Sequence, residues 1–151
     1  MDRLTKAFIA LAAVGLVVAV YHGYDEATAF TGPGTNFCSV FTNVNPNLSC
    51  SSVFASGYAT LPAHDPNGLP LYVLGLVWFP LMLALGIWYG RKGGLNGEVM
   101  VPLLMVGTLF TLYLWYLELG VIHALCPICI AMYLVNYALT GLAFRALLGS
   151  A

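Results

Sequence analysis

Four long apolar runs divide the chain, covering about residues 7–22, 69–90, 99–122 and 127–148. A helix needs about 20 mostly apolar residues to cross the hydrocarbon core of a bilayer. The last three runs have that length; the first is short, and the third is interrupted by Glu118. In lipid every backbone polar group must be satisfied within its own segment, so the pattern predicts helices rather than strands. The expectation is an all-α integral membrane protein, a four-transmembrane-helix bundle forming one domain over residues 1–151.

Between the first two runs lies a loop of about residues 23–68, rich in Gly, Ser, Thr, Asn and Pro. Gly32-Pro33-Gly34, Asn45-Pro46-Asn47 and Asp65-Pro66-Asn67-Gly68 read as turns. Asn47 or Ser49 can cap a short helix starting near Cys50. Val53 and Phe54 give that helix an apolar side, so it is expected to be amphipathic and to lie on the mouth of the bundle. Gly86 and Gly90 form a small-xxx-small pair that suits close helix packing.

Composition agrees with this solvent. The chain is 60% hydrophobic and 7% charged, with mean hydropathy +0.87. Soluble domains carry about 25% charged residues. A net charge of −1 gives no reason to expect a nucleic-acid partner. The five cations, Arg3, Lys6, Arg91, Lys92 and Arg145, all fall on one side of a four-span topology. The positive-inside rule then predicts a multi-pass protein of the cell membrane with both termini cytoplasmic and the long loop extracytoplasmic. An alternative treats the first run as a signal peptide, with Ala27-Thr28-Ala29 as its cleavage site.

On this topology Cys38, Cys50, Cys126 and Cys129 all face the extracytoplasmic side, where disulfides persist. An even count fits two pairs. Cys126-Pro127-Ile128-Cys129 is a CxxC at the start of the fourth helix. Free N–H groups and the helix dipole stabilise a thiolate there, and Pro127 suits the first helical position. Ile130 follows Cys129 where a c-type haem site has histidine. Cys38 and Cys50 sit in the loop, as a structural staple or as an exchange partner for the CxxC. A zinc site of four cysteines and a purely structural pair of disulfides are the alternatives. A transporter is disfavoured by the absence of a charged pathway or repeat.

In these residues the chain resembles the vitamin K epoxide reductase family and its prokaryotic homologues. The loop motif is Cys50-Ser51-Ser52-Val53-Phe54-Ala55-Ser56, a cysteine followed by a serine six residues on. The helix motif is Cys126-Pro127-Ile128-Cys129-Ile130-Ala131-Met132-Tyr133, with Asn136 beyond it. The resemblance runs from the first span to the fourth, and the order, loop pair first and CxxC last, distinguishes it from the DsbB oxidases. It implies a quinone-dependent thiol–disulfide oxidoreductase. A thioredoxin-like (DsbA-like) partner would attack the Cys38–Cys50 disulfide, Cys50 would attack Cys126, and Cys129 would face a quinone inside the bundle. Disulfide formation in exported proteins would follow. Ser56, Tyr133 and Cys129 would contact the quinone, and no metal is implied. Where animal members carry a quinone-holding Asn, Leu71 stands here, so a ubiquinone- or menaquinone-type molecule is expected over vitamin K epoxide.

Other polar residues carry weaker signals. Glu118 within a span can relay protons, snorkel outward or pair with His123, the structural role being favoured. His123 can support a thiolate or be merely interfacial. His22 and His64 are expected on the loop surface, and Asn47-Leu48-Ser49 is a glycosylation sequon of a kind that arises by chance.

Overall fold

The computed structural model describes residues 1–29 and 37–150, without the side chains of Ala29, Phe37, Cys38, Ser39, Thr42 and Ser150. The expected turn at Gly32-Pro33-Gly34 lies outside the described residues, as does the Cys38 side chain. Helix α1 is Arg3–Ala29, α2 Phe37–Val44, α3 Cys50–Ala55, α4 Leu71–Arg91, α5 Gly97–Tyr116 and α6 Pro127–Ser150. A two-stranded antiparallel ribbon, β1 (Thr60–Leu61) with β2 (Leu69–Pro70), leads into α4.

Among the described residues four helices are long and apolar enough to span a membrane: Arg3–Thr28, Leu71–Arg91, Gly97–Ile122 and Pro127–Gly149. The first is longer than its apolar run. Helix α1 continues past Tyr21 because the polar residues that follow, His22 and Asp25, are buried against the bundle rather than released to a loop. Large apolar side chains such as Val17, Val106, Leu109 and Leu134 are exposed, as a surface facing lipid requires.

Helix α1 packs against α4 and α6, and α5 packs against α6. Small residues set the closest approach. A Cβ at Gly86 would stand 2.9 Å from Phe8, and one at Gly90 2.8 Å from Thr5, so this pair is what lets α4 lie against α1. The core at this end of the bundle is Phe8, Ala12, Phe79, Met82, Met100, Leu104 and Leu139. Thr5 Oγ1 also accepts the Leu95 N–H at 3.1 Å, tying the α4–α5 turn to the start of α1. At mid-bundle Asn136 joins three helices. Its Oδ1 accepts from Trp78 Nε1 at 3.1 Å, and its Nδ2 donates to Thr108 Oγ1 at 3.3 Å.

The opposite end is capped by the loop. Ser49 caps α3, its hydroxyl accepting the Ser52 N–H at 3.2 Å, and the helix buries Cys50, Val53 and Phe54 while exposing Ser51 and Ser52. Just before it, Leu48 pairs in parallel with Leu125, and Asn47 O accepts the Leu125 N–H at 2.8 Å. This short bridge holds the segment preceding Cys50 beside the segment preceding Cys126.

Candidate functional site

Two elements converge on the buried sulfurs. The Leu48–Leu125 bridge sets the register, and α3 and α6 each begin immediately beyond it. Cys50, the first residue of α3, meets Cys126, the residue just before α6: Cys126 Sγ lies 3.3 Å from Cys50 Sγ. Cys50 is 1% exposed and Cys126 fully buried. Cys50 is disulfide-bonded, whereas Cys126 and Cys129 are both free thiols. A sulfur in a disulfide offers no thiolate to a metal. Two free thiols depart from a purely structural pair of disulfides.

The start of α6 works on Cys126 as the helix-terminus argument requires. The Cys129 N–H donates to Cys126 Sγ at 3.4 Å. Burial opposes ionisation of Cys126, but the Cys129 thiol and the His22 ring outweigh it, so the thiol is held well below its ordinary value. Cys129, one turn deeper, faces His22, whose Nε2 is 3.5 Å from Cys129 Sγ. Donor atoms of His22, Cys126 and Cys129 lie within 4.8 Å of one another.

Glu118 was expected either to relay protons or to pair with His123. The pairing is not formed, because the helix changes pitch at this point. Leu117–Ile122 is a π-helical turn, and His123 leaves it in a left-handed conformation (φ 56°) with its side chain exposed. The wider turn carries Glu118 inward to 3% exposure. Its Oε1 accepts from the Tyr133 hydroxyl at 2.7 Å, and its Oε2 accepts the Cys126 N–H at 3.3 Å. Single-turn π segments recur at functional sites in helices, but the sequence carries no signal for one here.

Beneath the sulfurs a cavity of about 350 Å³ opens between α1, α4, α5 and α6. Cys129, Tyr133, Glu118 and His22 form its polar end, and Trp78 and Asn136 contribute from deeper in the bundle. Glu26, Tyr58 and Thr111 also reach the wall, which is otherwise apolar, with Leu71, Leu74, Phe110 and Leu114 among its members. The Leu71 side chain has no hydrogen-bonding atom at the position where a quinone-holding Asn was sought. Ser56 sits at the end of α3, its hydroxyl donating to Val53 O at 2.6 Å; its neighbours Phe54 and Tyr58, rather than Ser56, are among the residues lining the cavity.

His22 is the functional residue that sequence reasoning missed. It was expected on the loop surface because the apolar run ends at Tyr21. It is 3% exposed and touches Cys129. Its spacing from Val18, which packs against the cysteine cluster, was the available signal. His64, by contrast, is exposed and stacks edge-on against Tyr58.

The chain matches the vitamin K epoxide reductase family over residues 6–144. The match takes in the loop, the CxxC and all four spans.

Proposed function

Because the chain belongs to the vitamin K epoxide reductase family, and is on that ground a membrane thiol–disulfide oxidoreductase, we propose that it carries electrons from a thioredoxin-like (DsbA-like) partner to a quinone. The observation that carries this reading is one pair of contacts. Cys126 Sγ lies 3.3 Å from the disulfide-bonded Cys50, and Cys129 lines the cavity on the other side.

The path has three parts. The partner's thiolate attacks Cys38 of the loop disulfide that Cys38 and Cys50 are proposed to share, freeing Cys50, and the partner's second thiolate then attacks the mixed disulfide, so that the partner leaves oxidised and Cys38 is freed. Cys50 then attacks Cys126 of an oxidised CxxC, and the Cys126–Cys129 bond breaks with Cys129 leaving as thiolate. Closure of the loop pair on itself returns Cys126 and leaves the CxxC as a dithiol. Exchange is reversible, so the same sulfur contact serves both directions. The N–H of Cys129 and the start of α6 stabilise the Cys126 thiolate that forms.

The cavity suits an aromatic dione. About 350 Å³ is within the range of small-molecule sites, and an apolar wall with a few polar groups at one end is their usual form. A quinone held there supplies the acceptor for two electrons and two protons. Tyr133 and Glu118 hold one proton source at that end. When Glu118 is protonated it donates to Tyr133, whose hydroxyl is then free to donate into the cavity. Asn136 is held by Trp78 and Thr108 and fixes the wall opposite. The cationic end of the bundle is proposed to be cytoplasmic, and the cysteine end to face the compartment in which exported proteins acquire disulfides.

The test is quinone reduction by reconstituted protein with a reduced thioredoxin-like donor, followed by quinone absorbance. Turnover that Cys50→Ala and Cys129→Ala both abolish supports the path. No turnover with ubiquinone, menaquinone or vitamin K-type quinones, under any such donor, overturns it.

A further inference from the structure

His22 comes from the first helix, yet its Nε2 stands 3.5 Å from the sulfur of Cys129 near the end of the chain. The ring is fixed between two aromatic neighbours. Phe54 lies at a centroid distance of 5.4 Å, and Tyr72 meets it edge-on at 6.4 Å. The second nitrogen, Nδ1, is buried and has no hydrogen-bond partner among the described residues. His22 also lines the cavity.

Buried polar atoms are nearly always partnered, so an orphan in a ligand-sized cavity needs an explanation. A neutral imidazole accepts at one nitrogen and donates at the other. If Nε2 accepts the Cys129 S–H, Nδ1 carries the ring proton. A donor that no protein atom satisfies, in a largely apolar cavity, is complemented by an oxygen that the occupant brings.

We propose that His22 is the proton carrier between Cys129 and a quinone oxygen, taking the thiol proton at Nε2 and releasing one from Nδ1. This rests on the quinone reading above. The Cys126–Cys129 bond forms as the dithiol loses two electrons and two protons, and the quinone leaves as the quinol. The proton of Cys129 enters the ring at Nε2 while the Nδ1 proton goes to the oxygen, so the ring stays neutral and changes tautomer. The second oxygen draws its proton from the Tyr133–Glu118 pair, which the proton given up by Cys126 restores. Glu26, one turn along α1 and on the cavity wall, is placed to return a proton to Nδ1 when the CxxC is next reduced. The titratable groups around the ring are Asp25 and Glu26 on its own helix, Glu118 from the π turn, Cys126 and Cys129 from α6, and Tyr72 from α4.

The experiment uses the full-length protein in nanodiscs, with ¹⁵N-histidine labelling, and compares wild type with His22→Gln. The chain has three histidines, so the resonances lost in His22→Gln identify the ring. In reduced protein the His22 Nδ1 is expected to carry the proton. Adding ubiquinone or menaquinone to Cys126→Ser protein, which keeps the Cys129 thiol but cannot close the CxxC disulfide, is expected to shift that nitrogen. His22→Gln is expected to oxidise its dithiol with quinone about 10²–10⁴-fold more slowly, the usual contribution of a positioned acid or base. A proton on Nε2 in reduced protein, an Nδ1 indifferent to quinone in Cys126→Ser protein, or His22→Gln oxidising at the wild-type rate overturns the proposal. The two nitrogen measurements decide it even if His22→Gln does not fold, with the ring then identified by its slow solvent exchange. Wild type that reduces no quinone overturns the quinone reading itself, whereas active wild type with an unaffected variant overturns only the proton carrier.

Discussion

The Tyr133 hydroxyl donates to Glu118 at 2.7 Å, and the other oxygen of the same carboxyl takes the Cys126 N–H. One buried side chain therefore joins the cavity wall to the first sulfur of the CxxC. Removing it leaves two donors without an acceptor, at about 1–3 kcal/mol for each unsatisfied group. Glu118→Ala is expected to lower the melting temperature in detergent measurably, and Glu118→Gln, which keeps an acceptor, to lower it much less. Both should cut quinone turnover, by about 10² or more if Glu118 supplies a proton in the step. Wild-type turnover in Glu118→Gln would confine the residue to a structural role.

The Cys50–Cys126 contact makes a trapping experiment direct. In Cys129→Ala the Cys126 sulfur has no CxxC partner and sits 3.3 Å from Cys50. After exposure to a reduced donor and mild oxidant, that variant is expected to accumulate a Cys50–Cys126 disulfide. Mass spectrometry of a non-reduced digest reads it. A cross-link to Cys38 alone would contradict the proposed order of exchange.

Cys126 is held below the ordinary thiol value, which is about 8.5 in an unfolded chain. A depressed folded value means that the unfolded chain holds the proton over the window between the two. The contribution to stability is therefore complete above the unfolded value and is lost as pH falls through the folded one. Reduced protein is expected to gain stability as pH rises from the lowered value toward 8.5, and Cys126→Ser to lose that slope. Thermal unfolding of both across pH measures it.

Ser49 caps the helix that presents Cys50, and losing such a cap costs about 1 kcal/mol. Ser49→Ala is expected to leave the bundle intact and slow exchange between the loop and the CxxC severalfold. Stopped-flow transfer from a reduced donor checks this, with quinone oxidation of a pre-reduced CxxC as the unaffected control.

Trp78 donates to Asn136 at the far wall of the cavity. Trp78→Phe removes that donor while keeping an aromatic surface. The expected result is a KM for quinone raised severalfold with little change in kcat, because the change affects the wall rather than the sulfurs.

The four apolar runs by themselves determined the bundle, since lipid leaves a 20-residue apolar segment no option but helix. The one-sided placement of Arg3, Lys6, Arg91, Lys92 and Arg145 put all the cations at one end, and the cysteine spacing with its family resemblance marked where the chemistry lies. Local rules also reached the cap at Ser49 and the α6 start at Pro127, because both depend on neighbours within one helical turn. What surrounds the sulfurs was decided only in three dimensions. His22 is 107 residues from Cys129, and its polarity at the end of an apolar run reads as loop until α4 and α6 bury it. Glu118 turned away from His123 because a π turn, invisible in hydrophobic periodicity, rotated it toward Tyr133 and Cys126. Contacts between distant segments depend on helix packing and on one extra residue in a turn, and neither is written in the local pattern of apolar and polar positions.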